Sequence, residues 1–379
     1  MNNQIPPKHH RMCCQCIMDT TDPDIVFDSN GTCNYCNEVE ILFNKTKRTE
    51  EESARKLNEI IGQIKRDGEG KEYDCLLGIS GGVDSSYVAY LAKQFDLRPL
   101  TIHFDNGWDS ELAVSNISKL MQILNLDLQT YVIDWEEFRD LQRSFIKASV
   151  IDIEILTDHA IMAAMFKIAQ EHQIPYILTG VNDATENGMP KSWVWSKRDL
   201  KNIRAIQKRF GTRNLKSFPT LGTWRWIFIK YFANKYKFID LLNYISFKKC
   251  DAIAVLKDKV GWRYYGGKHY ESLFTKFYQA YILPEKFGVD KRKVHFSSLI
   301  RNKELTREQA LEELAKPLYD PVELKNDKEY ILKKLGFTDE QFNGLMNAPP
   351  RPHDYYPSDH KMVEILRYLR EKLTKGKVS

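Results

Sequence analysis

A chain of 379 residues has room for two or three domains, and 42% hydrophobic content is ordinary for a globular protein. Its net charge of +5, from 56 basic and 51 acidic residues, is too mild to mark a nucleic-acid binder and suits a small anionic substrate equally. No apolar run reaches the length of a membrane span, because Arg225, Lys230, Lys235, Lys237 and Asp240 break the aromatic stretch 224–247. The N-terminus has no apolar core of the kind a signal peptide needs, so a cytoplasmic location is expected. The seven cysteines are then reduced thiols or metal ligands, not disulfides.

Residues 1–11 are polar. Cys13-x-x-Cys16 and Cys33-x-x-Cys36 follow, in the spacing of a four-thiolate zinc site. Each pair forms a tight knuckle, and such a closed site stabilises a lobe without doing chemistry. A redox pair or an iron–sulfur cluster is the alternative, and Cys14 has no assigned role. Thr49-Glu-Glu-Glu52 reads as a capping box opening a helix with Leu57, Ile60, Ile61 and Ile64 on one face.

Residues 73–79 read as a buried parallel strand, Ser80-Gly81-Gly82 as a turn without bulk, and Asp84 as the first turn of a helix carrying Val88, Ala89, Leu91 and Ala92. Backbone amides converging there, together with the helix start, make an anion site. Neither Gly-x-x-x-x-Gly-Lys-Ser/Thr nor Gly-x-Gly-x-x-Gly occurs at this junction, which excludes the common nucleoside-triphosphate and dinucleotide loops.

An alternation follows: strand 100–104, helix 110–124, strand 128–133, helix 135–148, loop 149–157, a helix through Ala160 and Ile168, and strand 176–179. Strands separated by helices predict an α/β fold with a doubly wound parallel sheet. Ligands bind such sheets at the carboxyl ends of strands, so His103, Asp105 and Gly180 are candidates to hold a phosphate-bearing ligand with the glycine turn. Asp84 and Asp183 are the carboxylates expected to hold magnesium. Residues 185–250 are expected as a basic insertion; with Trp193 and Trp195 it offers an RNA-binding reading, but Leu200, Ile203, Ile206 and Phe210 follow helical spacing, which favours a solvated face or a site for a phosphate-bearing substrate. Residues 261–301 gather Lys268, His269, Glu271, Lys291, Arg292 and His295, the composition of a substrate site. The tail 320–379 reads as helices broken by Pro349-Pro350, with no visible chemistry. Three divisions are expected: 1–46, a zinc-knuckle lobe; 47–260, the nucleotide domain; and 261–379, a mainly helical substrate region.

Ser80-Gly-Gly-Val-Asp-Ser-Ser86 resembles the pyrophosphate-holding loop of the PP-loop ATP pyrophosphatases, the group of GMP synthetase, asparagine synthetase and the tRNA thiolases. The resemblance implies a HUP-like fold of the adenine nucleotide alpha hydrolase type, and ATP contacts from Ser80, Gly81, Gly82, Val83, Asp84, Ser85 and Ser86. Over residues 13 to about 320 the chain resembles one family more closely, the N-acetyl sugar amidotransferases of bacterial O-antigen and flagellar sugar biosynthesis, which include the pseudaminic and legionaminic acid enzymes. Cys13–Thr21, Ser80–Ser86, Asp152-Ile-Glu-Ile-Leu-Thr-Asp-His159, Tyr265–Glu271 and Asp290-Lys-Arg292 carry it. This implies that ATP activates the oxygen of a sugar acetamido group and that ammonia then displaces AMP, leaving an acetamidino group. Asp158, Lys268, Arg292 and His295 are then expected at the nucleotide-linked sugar. Among Asp84, Lys268, His269 and Glu271, expected in catalysis, His269 or Glu271 takes a proton from ammonia and Lys268 steadies the adenylated intermediate.

A glutaminase needs a reactive cysteine with a partner base. Cys75 lies in the central strand and Cys250 has no motif around it, so ammonia is expected from a separate class I, HisH-like glutaminase subunit. A membrane partner is not expected, nor is nucleic acid. The competing readings are a tRNA-thiolating enzyme of the same superfamily and a non-catalytic zinc-ribbon scaffold.

Overall fold

The computed structural model describes residues 10–46, 48–229, 235–265 and 270–366. After the cysteine knuckles come α1 (Asn34–Thr46) and α2 (Glu50–Asp67), the latter opened by the expected box, in which Thr49 and Glu52 cap each other's amides. Then β1 (Cys75–Ile79), α3 (Val83–Gln94), β2 (Pro99–Asp105), α4 (Glu111–Leu124), β3 (Leu128–Val132), α5 (Trp135–Ala148), α6 (Ile155–Glu171) and β4 (Tyr176–Thr179) alternate. The first turn of α6 starts inside the segment expected to be loop, because Ile155 and Leu156 are apolar and become buried.

All strands pair in parallel, in the order β3-β2-β1-β4-β5. The period of two divides the core: Cys75, Leu77, Ile79, Tyr176 and Leu178 face α2, α3 and α4, whereas Leu76, Leu100, Ile102 and Ile177 face α6. The region expected as an insertion contains α7 (Leu200–Phe210), α8 (Thr223–Phe228) and β5 (Lys237–Asp240), so it supplies the outer strand of the sheet. With four residues, two of them exposed, β5 carries too little apolar pattern to be read in advance.

Helix α9 (Lys249–Val260) returns to the α3 face. The rest is helical, from α10 (Leu273–Phe277) through a π-turn, Tyr278–Ile282, into α11 (Leu283–Phe287), then α12 (Arg292–Arg301), α13 (Arg307–Leu314), α14 (Pro321–Leu335) and α15 (Asp339–Asn347). Phe274, Phe277 and Tyr278 are buried, each side chain worth roughly 1.5–3 kcal/mol of burial. They join Phe138, Leu141 and Phe145 of α5 in a core that also holds the cysteine knuckles. No helix among the described residues is long and apolar enough to cross a membrane.

Candidate active site

The strand order reverses between β1 and β4, and there the two loops meet. A Cβ placed on Gly180 would lie 3.0 Å from the Ser85 amide nitrogen and 3.1 Å from the Asp84 carbonyl carbon. Gly81 adopts φ +79°, and a Cβ there would fall 2.8 Å from the Ala113 carbonyl oxygen of α4. The turn is braced from several sides. Trp262 Nε1 donates to the Gly81 carbonyl (3.0 Å), Ser80 Oγ accepts from the Gly82 amide (3.2 Å), and Tyr265 Oη accepts from the Val83 amide (3.3 Å). Gly82, Val83, Asp84 and Ser85 therefore present a rigid glycine turn and a helix start to one cavity of about 530 Å³.

His103 stands on its wall. One ring nitrogen is 3.2 Å from the Ile79 carbonyl and the other 3.2 Å from Asp109 Oδ2; both partners are acceptors, which the doubly protonated ring satisfies. Burial alone would lower its pKa, but the Asp109 carboxylate prevails and raises it.

The opposite side is a buried charge cluster. Asp152 accepts from Lys197 Nζ (2.7 Å) and the Trp195 amide (2.7 Å), and Lys197 also pairs with Asp158 (3.0 Å). Burial would raise the Asp152 carboxyl, yet Lys197 and Lys291 hold it below the usual range, and its carboxylate partners raise Lys197 in return. Glu154 accepts from Thr275 Oγ1 (3.0 Å), while its Oε1 is shielded and has no partner among the described residues. Burial and then the nearby Asp158 push the Glu154 carboxyl up to about 7, against the pull of Lys291. Burial lowers Lys291. Below them, the Asp152 amide donates to His353 Nε2 (3.2 Å), so Nδ1 carries the proton towards Asn202 Oδ1 (3.0 Å). Burial holds this ring neutral, its pKa down to about 4.

A second cavity, of about 560 Å³, adjoins the first across Lys249, Gln279 and Lys291, which line both. Arg292 and His295 lie on its wall. The Arg292 guanidinium is already engaged by Asp290 (2.8 Å) and by the carbonyls of Leu314 (3.1 Å) and Lys316 (2.8 Å), which ties the start of α12 to the end of α13.

Of the residues expected from sequence, Ser80, Gly82, Val83, Asp84, Ser85, His103, Gly180, Asp158 and Glu271 line the first cavity. Arg292 and His295 line the second, and four line neither. Gly81 packs on α4, the Ser86 hydroxyl is buried, Asp105 caps the Gly107 amide (2.8 Å), and Asp183 faces Asn243, whose Oδ1 accepts from its amide (2.8 Å). Lys268 and His269 lie outside the described residues. Sequence reading did not assign Glu154, Asp109 or Lys197 to the site. For Glu154 a signal existed, since the carboxyls of 154 and 158 are four residues apart across the start of α6, on one helical face.

The four knuckle thiols are buried and lie within 4.8 Å of one another, with Sγ–Sγ distances of 4.0 Å (Cys13–Cys36) and 3.7 Å (Cys16–Cys33). Four sulfurs about 2.3 Å from a tetrahedral centre stand ~3.8 Å apart, so the cluster could hold a metal such as zinc. Amides of Gln15, Cys16 and Cys33 donate to Cys13 Sγ, and that of Met18 to Cys16 Sγ, as thiolate ligands require.

Residues 56–216 match the family described as NAD synthase, and residues 271–370 match that described as LPS biosynthesis protein WbpG-like, C-terminal domain. Over 131 residues the chain is 28% identical to an uncharacterized protein of Methanocaldococcus jannaschii, covering 34% of this chain. That match spans 45% of the relative, so the chain aligns with about half the length of the curated protein it matches. A solved NMN synthetase from Francisella tularensis is similar at 18% identity, over 36% of this chain and 57% of that one, with a TM-score of 0.28, too low to bear on function.

The glycine turn at the switch point and the NAD synthase match mark residues 56–216 as a nucleotide domain of the PP-loop, NAD synthase type. Residues 271–370, which follow that domain, are similar to the WbpG-like C-terminal domain.

Proposed function

We propose that the chain is the synthetase subunit of an ATP-dependent amidotransferase. It adenylates the acetamido oxygen of a nucleotide-linked N-acetyl sugar, then replaces that oxygen with ammonia, releasing AMP and pyrophosphate. The acetamidino sugar serves surface polysaccharide or flagellin glycosylation, and the enzyme works in the cytoplasm. The observation that carries this reading is the braced glycine turn opening, beside Gly180, into a cavity to whose wall the WbpG-like region adds Glu271, Ser272, Thr275, Gln279 and Lys291.

An amide oxygen is a very poor leaving group. Moving AMP onto it makes the departing group a phosphate ester, and the departing pyrophosphate meets the start of α3 at Asp84 and Ser85, beyond the Gly82 and Val83 amides that Ser80 and Tyr265 engage. Asp84, at the cavity wall, would hold magnesium, which would neutralise phosphate charge; Asp183 does not line that cavity. Zinc at the knuckles is structural. The second cavity accommodates the carrier of the sugar, with His295 on its wall and Arg292 shaping it. Ammonia comes from a separate glutaminase: burial pushes the Cys75 thiol well up, and burial together with Asp251 raises Cys250, so neither is an activated nucleophile.

Mass spectrometry tests the reading. With ATP, Mg²⁺, ammonium and a panel of CMP- and UDP-linked diacetamido sugars, one sugar should exchange O for NH as AMP and pyrophosphate appear. Formation of ADP and orthophosphate would sink it.

A further inference from the structure

Ammonium is a cation, and an amine nucleophile must be neutral when it attacks. A PP-loop enzyme that uses ammonia therefore needs a place that first attracts the cation and then strips a proton from it. Two carboxylates occur together on the first cavity's wall at the start of α6. Asp158 is neutralised by Lys197, which bridges it to Asp152. Glu154 is not: among the described residues its carboxyl has one hydrogen-bond partner, Thr275, at Oε2, and Oε1 has none. Glu271, by contrast, stands at the phosphate end, where its Oε1 would be 3.2 Å from a Cβ on Gly82.

We propose that Glu154 is the group that receives ammonium in this cavity and takes its proton, releasing ammonia beside the adenylated carbon. This rests on the adenylating function proposed above. The proton passes from ammonium to Oε1. The freed lone pair forms a C–N bond to the imidate carbon that carries the adenylyl oxygen. One nitrogen-bound proton shifts to the imidate nitrogen, and the C–O bond breaks with its electron pair on AMP. An amidinium results, and Glu154 returns its proton to solvent. The charged groups facing this carboxyl are Asp158 on α6, Lys197 on the segment before α7 and Lys291 at the start of α12, with the Thr275 hydroxyl from α10. Lys291 and Lys197 keep the carboxyl ionisable in spite of its burial. Thr275 holds Oε2, which leaves Oε1 as the oxygen to take the proton.

The test separates the two half-reactions in Glu154→Gln and Glu154→Asp, using whichever diacetamido sugar of the panel supports ATP–pyrophosphate exchange. Glu154→Gln should keep the exchange within a few-fold and lose ammonium-dependent amidine formation by about 100-fold or more. In the wild type kcat/KM for ammonium should climb through a pH near 7, a limb that Glu154→Gln lacks and Glu154→Asp partly restores. Hydroxylamine, already neutral at that pH, should react with Glu154→Gln almost as fast as with the wild type. Parallel loss of exchange and product would overturn the proposal and leave adenylation standing. Full ammonium activity in Glu154→Gln, or no recovery with hydroxylamine, would also overturn it. Absence of exchange in the wild type with every sugar would remove the adenylation itself, and the proposal with it.

Discussion

A carboxyl held near neutrality inside a protein costs stability, and the cost has a sign that can be measured. Glu154 titrates at about 7 in the folded chain against 4.5 in its absence. Below the lower value both states are protonated and nothing is lost. Between the two the unfolded chain sheds its proton more readily, so stability falls as pH rises, and above 7 the full cost remains. Glu154→Gln should therefore stabilise the protein by up to ~3 kcal/mol at about pH 8 and leave it unchanged at about pH 4, as read by urea unfolding. Destabilisation at the higher pH would show that this carboxylate supports the fold. His353 tilts the same curve the other way: kept neutral down to about 4 against 6.5, it removes stability as pH falls through that interval. Both groups touch Asp152's surroundings, so removing one should shift the other.

At the scale of elements, the site depends on how closely β1's loop and β4's loop approach. Gly180 needs no unusual φ; it needs the absence of a Cβ. Gly180→Ala would press a methyl to within about 3 Å of the Ser85 amide and the Asp84 backbone, which must shift. The expected result is a rise of at least ten-fold in KM for ATP, about 1.4 kcal/mol, with a fall in Tm of only a few degrees. An unchanged KM would mean that ATP binds elsewhere. The β1 turn, the alternating helices and β4 were all legible in the sequence because buried parallel strands announce themselves as short apolar runs. β5 was not, since an edge strand of four residues with exposed Lys237 and Phe238 has no such run. The site divides in the same way. Residues on the glycine motif are local and readable, whereas Lys197 belongs to a basic run whose neighbours on α7 face solvent. Its inward turn is set by Asp152 and Asp158, which are about forty residues away and come near only in the fold. Lys268 and His269 lie outside the described residues.

For the whole molecule, the cysteine lobe and the nucleotide sheet are far apart in function but share one set of helices. The Ile17 amide donates to Ser297 Oγ (3.2 Å), Lys293 pairs with Asp19 (2.6 Å), and Arg307 donates to the carbonyls of Cys16 and Cys13 (each 3.2 Å). Arg301 reaches Cys36 Sγ (3.7 Å). The lobe thus grips α12 and the start of α13, and α12 carries Arg292 and His295 of the second cavity. A bound metal would enforce the knuckle geometry on which these contacts depend, because four thiols without it lose their common centre. Stripping the metal with a chelator should therefore lower Tm and raise KM for the acceptor sugar. Affinity for ATP should change little, since the glycine turn is braced by Trp262 and Tyr265, outside the lobe. Isothermal titration with a non-hydrolysable ATP analogue, set against acceptor kinetics before and after chelation, separates the two. Equal loss of both affinities would mean that the metal holds the fold as one unit, and unchanged acceptor kinetics would disconnect the lobe from the second cavity.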